Sequence, residues 1–210
     1  MGGSLPAWSR TWSRSELNEI FSMLDNPSYS SLRISPGKSD EMQKLLDAEE
    51  IRAFKSDISD AWRLNESVYP VKFPGFSDGL CSVQSESSII TASLVSKFYS
   101  GGYILDMCSG RGVKAAQILQ ENPGAKVECW EISPGRSQSA AQELQRLNVR
   151  DRAILKCGDA LKFETFETPS FIVLDAPCTG SGTWTRKPES KWRLDWQKFD
   201  AITEAQKKLL

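Results

Sequence analysis

A strand, a turn and a helix follow one another in Tyr103-Ile-Leu-Asp106-Met-Cys108-Ser-Gly110-Arg-Gly112-Val-Lys114. Small residues at such a turn let the backbone approach a ligand, and the amino terminus of the helix adds partial positive charge. Strand patterns lie at Tyr103–Cys108, Val127–Ile132, Ala153–Cys157 and Phe171–Asp175, and helical patterns at Val113–Gln120 and Pro134–Leu147. Strands that alternate with helices in this way predict an α/β fold with a parallel, doubly wound sheet.

The first third of the chain has a more polar and helical pattern. Ser13 or Ser15 is placed to cap a first helix, and Asp40–Phe54 has the apolar spacing of a second. Leu32–Ser35 is a short strand candidate between them. This part of the chain is therefore predicted to be mostly helical.

The boundary between the two parts is predicted at Pro70–Gly79, which contains two prolines and two glycines. A helix over Gln84–Tyr99 then leads into the alternating strands and helices. We therefore predict a small N-terminal module at residues 1–73 and the α/β domain at residues 74–210.

Composition excludes several classes of protein. The chain has 210 residues and a formal net charge of −1, so any nucleic-acid site must be local. It has no histidine, which excludes Ser-His-Asp and Cys-His catalysis and histidine-ligated metals. Five cysteines without a Cys-x-x-Cys pair indicate free thiols in a reducing compartment. No apolar run has the length of a membrane span or the form of a signal peptide, so we expect a cytoplasmic protein.

Acidic residues follow three successive strands of the predicted sheet. Glu131 is suited to hold ribose hydroxyls, Asp159 an adenine amine, and Asp175 lies at the next strand end. Together they suit S-adenosyl-L-methionine, which carries a ribose diol, an adenine amine and a positively charged sulfonium. Gly110-x-Gly112-x-x-Ala115 also satisfies the dinucleotide fingerprint, so a nicotinamide cofactor is the alternative.

An acid and a thiol lie close together in the turn Asp175-Ala-Pro-Cys178-Thr-Gly-Ser-Gly182. Such a pair can attack a pyrimidine, because a thiolate adds to carbon 6 while the acid hydrogen-bonds the ring edge. The alternative is that Cys178 packs in the interior, as free cysteines often do.

A basic and aromatic segment follows this turn, between Thr183 and Lys198. Arg186, Lys187 and Lys191 are candidate RNA contacts, because cations bind phosphates while flat rings stack on unpaired bases. The alternative is a helix whose tryptophans pack on the sheet while its cations are solvated.

These motifs together resemble the Sun (Fmu) family of RNA cytosine-5 methyltransferases, and the likeness covers nearly the whole chain. Cys108 to Lys114 stands where the family has Cys-Ala-Ala-Pro-Gly-Gly-Lys. Glu131-Ile-Ser-Pro-Gly-Arg136 and Asp159 match the next two cofactor motifs, and Asp175 to Gly182 matches the substrate motif. Arg33-Ile-Ser35 is similar to part of the family's N-terminal module.

The resemblance implies a fold, a cofactor and a set of site residues. The fold is a Rossmann-like class I methyltransferase sheet, incomplete at its C-terminal side, preceded by an RNA-binding or linker module. The implied catalytic residues are Asp175 and Cys178, and the implied RNA contacts are Arg33, Arg186, Lys187 and Lys191. The implied S-adenosyl-L-methionine site comprises Cys108, Ser109, Gly110, Arg111, Gly112, Val113, Lys114, Glu131, Arg136, Asp159 and Asp175. We further expect an unpaired cytosine of ribosomal or transfer RNA as the partner, no metal, no membrane and a monomer.

The chain also departs from the family's pattern. Arg111 and Val113 replace a proline and a glycine of the cofactor loop, and Ser35 stands where asparagine is usual. The family's attacking cysteine lies on a later strand, beyond Leu210, so by resemblance Cys178 is the second cysteine, which helps to release the methylated base. We therefore expect a truncated chain. The alternatives are a catalytically silent RNA- or cofactor-binding fragment and an enzyme that uses Cys178 as its nucleophile.

Overall fold

The structure is a computed structural model that describes residues 8–25, 30–64, 72–185, 187, 190 and 195–210. It forms two compact units: one is Tyr29–Asp175, and the other combines Met1–Ser28 with Ala176–Leu210. Residues on both sides of the predicted boundary at residue 73 thus belong to the same unit, because a strand that follows this boundary pairs with one that precedes it.

The first sheet is antiparallel and has the strand order β2-β3-β1-β4. Its strands are β1 (Ser30–Ile34), β2 (Ala53–Lys55), β3 (Ala61–Leu64) and β4 (Cys81–Val83). Helix α2 (Ser39–Ala48) packs on it through the buried side chains of Met42 and Leu46. Residues 1–73 thus contain three strands of a sheet, where the sequence predicted mainly helices.

The predicted helix Asp40–Phe54 is too long. It ends at Ala48, and Glu50 then adopts a φ of 56°, which a continuing helix does not allow. Ala53–Lys55 forms the edge strand β2, in which Phe54 is exposed. Antiparallel pairing with β3 therefore overrides the helical spacing of these residues.

The second sheet is parallel and has the strand order β7-β6-β5-β8. Its strands are β5 (Tyr103–Asp106), β6 (Lys126–Glu131), β7 (Ala153–Cys157) and β8 (Phe171–Val173). The helices of this part are α3 (Glu86–Phe98), α4 (Val113–Glu121) and α5 (Pro134–Arg146). The predicted α/β fold with a parallel sheet is confirmed.

The two faces of the parallel sheet have different surroundings. Ile104, Val127 and Val173 belong to the main apolar core, which they share with residues of α3, α4 and α5. Tyr103 and Leu105 point to the opposite face, because successive strand residues alternate, and they form a smaller cluster with Trp130 and Phe163. All four strands run in the same direction, so their carboxyl ends share one edge of the sheet. Open α/β sheets bind ligands at this edge.

The other unit contains two helices with side-chain caps. In α1 (Arg14–Asp25), Ser13 and Glu16 form a reciprocal capping box: the Ser13 amide donates to Glu16 Oε2 at 2.7 Å, and the Glu16 amide donates to Ser13 Oγ at 3.3 Å. In α6 (Trp196–Leu209), Asp195 Oδ1 accepts from the Lys198 amide at 2.8 Å. Within the described part of the chain, no helix is both long enough and apolar enough to cross a membrane.

Gly37 and Gly79 have the same φ, and substitution of each tests how tightly the unit Tyr29–Asp175 is packed. A Cβ atom at Gly79 would lie 2.6 Å from the carbonyl oxygen of Arg146, whereas one at Gly37 would meet nothing within 4 Å. Both positions have a φ of 73°, so alanine is strained at each. We expect Gly37→Ala to lower the free energy of unfolding by about 1 kcal/mol. Gly79→Ala should cost about 1–3 kcal/mol more, because backbone atoms must move. Urea unfolding of both variants checks this, and equal losses would contradict it.

Candidate functional site

The predicted cofactor loop lies at the carboxyl edge of the parallel sheet, between Asp106 at the end of β5 and Val113 at the start of α4. Gly110 and Gly112 have φ values of 58° and 74°. A Cβ atom at Gly112 would lie 3.0 Å from Cβ of Ala140, so this glycine lets the loop pack closely against α5. A Cβ atom at Gly110 would meet no atom within 4 Å. The backbone at Gly110 is therefore open to a ligand.

Asp106 has the most perturbed carboxyl group at this edge. Its residue is 2% exposed, and its buried Oδ1 has no hydrogen-bond partner among the described residues. Burial raises the pKa of Asp106 to about 7, with Asp175 and Glu131 raising it further and Lys114 opposing the shift. A buried, unpaired carboxyl oxygen is costly, so the site is suited to a ligand that brings a donor or a positive charge.

Lys114 and Asp175 form an ion pair across the site. Lys114 Nζ lies 2.5 Å from Asp175 Oδ2, so the first turn of α4 is joined to the residue that follows β8 by two positions. The side chain of Asp175 is 57% exposed, and solvent screening keeps the contribution of such a pair to stability small. The pair instead orients the Asp175 carboxylate at the edge of the sheet.

Glu131 and Asp159 lie at the strand ends where the sequence places them. Glu131 is buried, and its Oε1 accepts from the Ser133 amide at 2.7 Å and from Arg136 Nε and Nη2 at 2.9 and 2.6 Å. Asp159 Oδ1 accepts from the Leu161 amide at 3.1 Å. Among the described residues, each acid has one carboxyl oxygen without a hydrogen bond. Each can therefore accept from a ligand hydroxyl or amine while it stays anchored.

The remaining residues of the loop divide into exposed and anchored positions. Ser109 is buried and is tied to β6, because its amide and its hydroxyl both donate to the Trp130 carbonyl, at 2.9 and 3.2 Å. Cys108 is partly buried, and burial raises the pKa of its thiol to about 11. Arg111 is exposed and Val113 is partly buried. Cys108 is therefore a protonated thiol at neutral pH and not a ready nucleophile.

The predicted substrate residues lie in the second unit, within Ala176–Leu210. Cys178 is exposed and is a free thiol, and Lys187 is exposed as well. Arg186 and Lys191 lie outside the described residues. All five cysteines of the chain are free, as predicted.

The two described tryptophans of the basic segment differ in burial, since Trp196 is exposed and Trp184 is not. Trp184 is buried, and its ring stacks on that of Trp8 with 5.3 Å between the centroids. Trp8 in turn stacks on Phe21 at 5.9 Å. Trp196 begins α6 and makes an edge contact with Phe199 at 5.8 Å. Trp184 is thus a packing residue within its unit.

The predicted RNA contact at Arg33 is wrong. Arg33 is 1% exposed, and it donates from Nε to Gln84 Oε1 at 2.9 Å and from Nη1 to Gln120 Oε1 at 2.7 Å. Burial also lowers the pKa of its guanidinium to about 10. A side chain enclosed in this way does not contact a phosphate.

Asp106 is the site residue that the sequence analysis missed. It ends the first strand of the parallel sheet, as Glu131 ends the second. That repeated position was the available signal.

The comparisons with known proteins agree with this geometry. Residues 95–210 match the family model described as 16S rRNA methyltransferase RsmB/F. The ribosomal RNA small subunit methyltransferase B of Pasteurella multocida is 33% identical over 189 residues, which is 85% of this chain and 42% of that relative. The Vibrio cholerae protein of the same name is 32% identical over 66% of this chain and 32% of its own length. The chain thus spans less than half the length of these curated relatives.

Solved structures share the fold. NSun6 from Pyrococcus horikoshii, solved with SFG, has a TM-score of 0.84 and 16% identity, with 97% of this chain and 77% of that one covered. A methyltransferase homolog protein from Pyrococcus horikoshii has a TM-score of 0.69 and 23% identity, with 82% and 57% covered. These similarities support the methyltransferase fold.

The pKa of Asp106 predicts an unusual dependence of stability on pH. It is about 7 in the folded protein and about 4 in an unfolded chain. Between these values the folded protein holds a proton that the unfolded chain has lost, so the free energy of unfolding falls as pH rises from about 4 to about 7. Asp106→Asn should remove this fall and be more stable than the parent at pH 8, by up to about 4 kcal/mol. Urea unfolding from pH 4 to pH 8 measures it, with exposed Asp151→Asn as the control. Parallel curves for the parent and Asp106→Asn would contradict the assignment.

Proposed function

The chain belongs to the RsmB/F family of 16S rRNA methyltransferases, and we propose that it binds S-adenosylmethionine and an RNA cytosine for methyl transfer to carbon 5. Membership confirms the resemblance to the Sun-type RNA methyltransferases that the sequence motifs predicted. The observation that carries the proposal is the ion pair of Lys114 with Asp175, which joins the cofactor loop to the first residue of the substrate motif. The roles of individual residues are proposals for the whole enzyme.

The residues present fit S-adenosylmethionine, the cofactor of the family. The free oxygens of Glu131 and Asp159 are suited to the ribose diol and the adenine amine, and the open backbone at Gly110 allows close approach. The unpartnered Oδ1 of Asp106 is suited to the positively charged part of the molecule. When bound, S-adenosylmethionine supplies an electrophilic methyl group. The loop residues bind and orient it.

Asp175 is proposed to recognise the base. Its Oδ2 is held by Lys114, so Oδ1 remains to accept a hydrogen bond from the exocyclic amine of cytosine. Because the ring edge must reach this carboxylate, the target cytosine has to be unpaired or flipped out of a stem. An acceptor at this position favours cytosine over uracil, which presents a carbonyl oxygen instead of the amine.

Cys178 is proposed to act in the release of the product. In the reaction a thiolate adds to carbon 6 of the cytosine, which makes carbon 5 nucleophilic. After carbon 5 has received the methyl group, it loses its proton, the bond from carbon 6 to sulfur breaks, and the electron pair returns to the sulfur. By family resemblance Cys178 assists this last step and another cysteine attacks. The exposed thiol of Cys178 also supports the second candidate, in which Cys178 itself attacks.

The RNA partner is proposed to be ribosomal RNA, since the family is described by 16S rRNA. Lys187 is exposed in the segment after Cys178, and we propose that it contacts phosphate together with Arg186 and Lys191. Residues 1–73, which precede the predicted boundary, are proposed to assist RNA binding. We further propose a cytoplasmic monomer that needs no metal ion.

The cofactor assignment predicts a selective effect at β6. Glu131→Gln keeps the shape of the side chain but removes its charge, so its hydrogen bonds to the ribose diol weaken. We expect the dissociation constant for S-adenosylmethionine to rise about tenfold, which corresponds to about 1.4 kcal/mol. Isothermal titration at a temperature where each variant is folded measures it. Glu128→Gln on the same strand is the control, because Glu128 is buried beside Lys156 and Trp130 on the opposite face. Equal effects at the two positions would refute the assignment.

The base assignment predicts that Asp175 is required for turnover. Asp175→Ala should lower methyl transfer to small-subunit ribosomal RNA at least about a hundredfold, as loss of a group that polarises the base does. The full-length protein is incubated with labelled S-adenosylmethionine, and the RNA is digested to nucleosides. We expect 5-methylcytidine as the product and normal activity for the exposed control Asp151→Ala. Near-normal turnover of Asp175→Ala would exclude the role, and another methylated nucleoside would exclude carbon 5 as the target.

A test with 5-fluorocytosine RNA separates the two roles of Cys178. Fluorine at carbon 5 blocks the proton loss, so the attacking cysteine stays bound to the RNA. If Cys178 only assists release, Cys178→Ser still forms the adduct. If the adduct is lost in Cys178→Ser, Cys178 is the nucleophile.

A further inference from the structure

We propose that Arg33 is a positioning residue for the cofactor loop, which it controls through α4 and a buried network of amide side chains. The inference rests on the proposed function, because it concerns the S-adenosylmethionine site of the same unit. It assigns to the N-terminal sheet a direct influence on cofactor binding.

The first observation is the position of Arg33. It projects from β1 of the antiparallel sheet, and its guanidinium is enclosed. Its Nε donates to Gln84, which follows β4, and its Nη1 donates to Gln120 in α4. The same guanidinium therefore connects β1, and through Gln84 the end of the edge strand β4, to a helix of the parallel-sheet domain.

The network continues along α4. Gln84 Nε2 donates to Gln117 Oε1 at 2.6 Å, and Gln117 Nε2 donates to Ser93 Oγ of α3 at 2.9 Å. Gln120 Nε2 donates to Ser35 Oγ, next to β1, at 3.1 Å. Two positions on α4, three residues apart on one side of the helix, are therefore fixed relative to the antiparallel sheet.

Helix α4 transmits this constraint to the loop. It has nine residues, begins directly after Gly112 and carries Lys114 in its first turn. A short helix moves as a rigid rod, so a shift at Gln117 or Gln120 also displaces Lys114 and the loop before it. The apolar side of the helix packs in the core through Ala115, Ala116, Ile118 and Leu119. Apolar packing is non-directional, whereas the hydrogen bonds of Gln117 and Gln120 also set the rotation of the helix about its axis.

Arg33 is poorly explained as a stabilising residue alone. Its hydrogen-bond acceptors are amides, not carboxylates, and its buried Nη2 has no partner among the described residues. Burying a cation in this way is costly, and apolar residues of similar volume often replace buried charges without loss of stability. A fixed fork geometry toward two amides is what arginine offers and lysine does not. The geometry thus favours a role in orienting α4.

The test compares variants in the full chain. Arg33→Met removes the hydrogen bonds and keeps an apolar side chain of similar length, and Arg33→Lys keeps the charge without the fork. Gln120→Leu removes the acceptor of the same hydrogen bond, at a partly buried position of α4. This variant replaces Arg33→Met in the test if Arg33→Met does not fold. Arg63→Met is the control, because the Arg63 side chain ties β3 to Glu86 at the start of α3.

Two quantities are measured on protein that is folded by circular dichroism. The first is the dissociation constant for S-adenosylmethionine by titration. The second is hydrogen exchange of the backbone amides of residues 108–114 in the cofactor-free protein. We expect Arg33→Met, Arg33→Lys and Gln120→Leu each to weaken binding about tenfold, in the range of known couplings between sites. We also expect faster exchange in the loop. The double variant Arg33→Met with Gln120→Leu should weaken binding by less than the sum of the two single changes, because both remove the hydrogen bond between Arg33 and Gln120.

The outcomes separate the two proposals. If the parent protein does not bind S-adenosylmethionine, the proposed function fails. If the parent binds and the three variants bind equally well, with unchanged exchange in the loop, Arg33 has only a structural role and the inference fails. If Arg63→Met weakens binding as much as Arg33→Met does, the effect reflects general destabilisation and the inference also fails.

Discussion

Like charges gathered at one edge of a parallel sheet are the constraint on which the rest of this structure depends. Parallel pairing of β5 with β6 and β8 brings the carboxyl ends of these strands together. Asp106, Glu131 and Asp175 therefore act on one another electrostatically, and all three raise the pKa of the nearby Cys108 thiol, although burial raises it most. Such a cluster is unfavourable unless cations are fixed beside it. Lys114 and Arg136 supply them, each from the first turn of the helix that follows a strand of the cluster.

Lys114 and Arg136 form close ion pairs with only two of the three acids in the cluster. Glu131 and Asp175 have close ion pairs, whereas the buried Oδ1 of Asp106 has no hydrogen-bond partner in the described part of the chain. A protein core tolerates a buried carboxyl group of this kind when it is protonated or when a ligand pairs with it. The open backbone at Gly110 lies in the same loop. Folding thus leaves the least satisfied acid at the site proposed for the positively charged cofactor.

The parallel sheet was predictable from the sequence, because each of its strands is a short apolar run between helical patterns. The observed strands differ from the predicted ones by no more than two residues at either end. The antiparallel sheet was not predictable in the same way. Strand β2 has three residues and exposes Phe54, so it lacks the alternation that marks a half-buried strand. It pairs with β3 across the short connection of residues 56–60, which contains no glycine or proline to mark a turn. At the site, Glu131 and Asp159 were predictable from their positions after strands. Arg33 was misassigned because a charged residue is exposed in most proteins, and only the fold shows which amides enclose it.

Arg33 also explains why a boundary at residue 73 does not separate compact units. Arg33 precedes that boundary, while the residues that hold its guanidinium, Gln84 and Gln120, follow it. Removing one partner of a hydrogen-bonded buried cation lowers protein stability more than removing one apolar contact does, because the remaining charge is left without compensation. Separating the antiparallel sheet from α4 would therefore leave this buried charge without its hydrogen-bond partners. A displacement between two apolar surfaces has no such cost. The two sheets are bound by a contact that tolerates little displacement. The helix after the Gly110 loop gains from such directional contacts a fixed rotation that non-directional apolar packing alone does not specify.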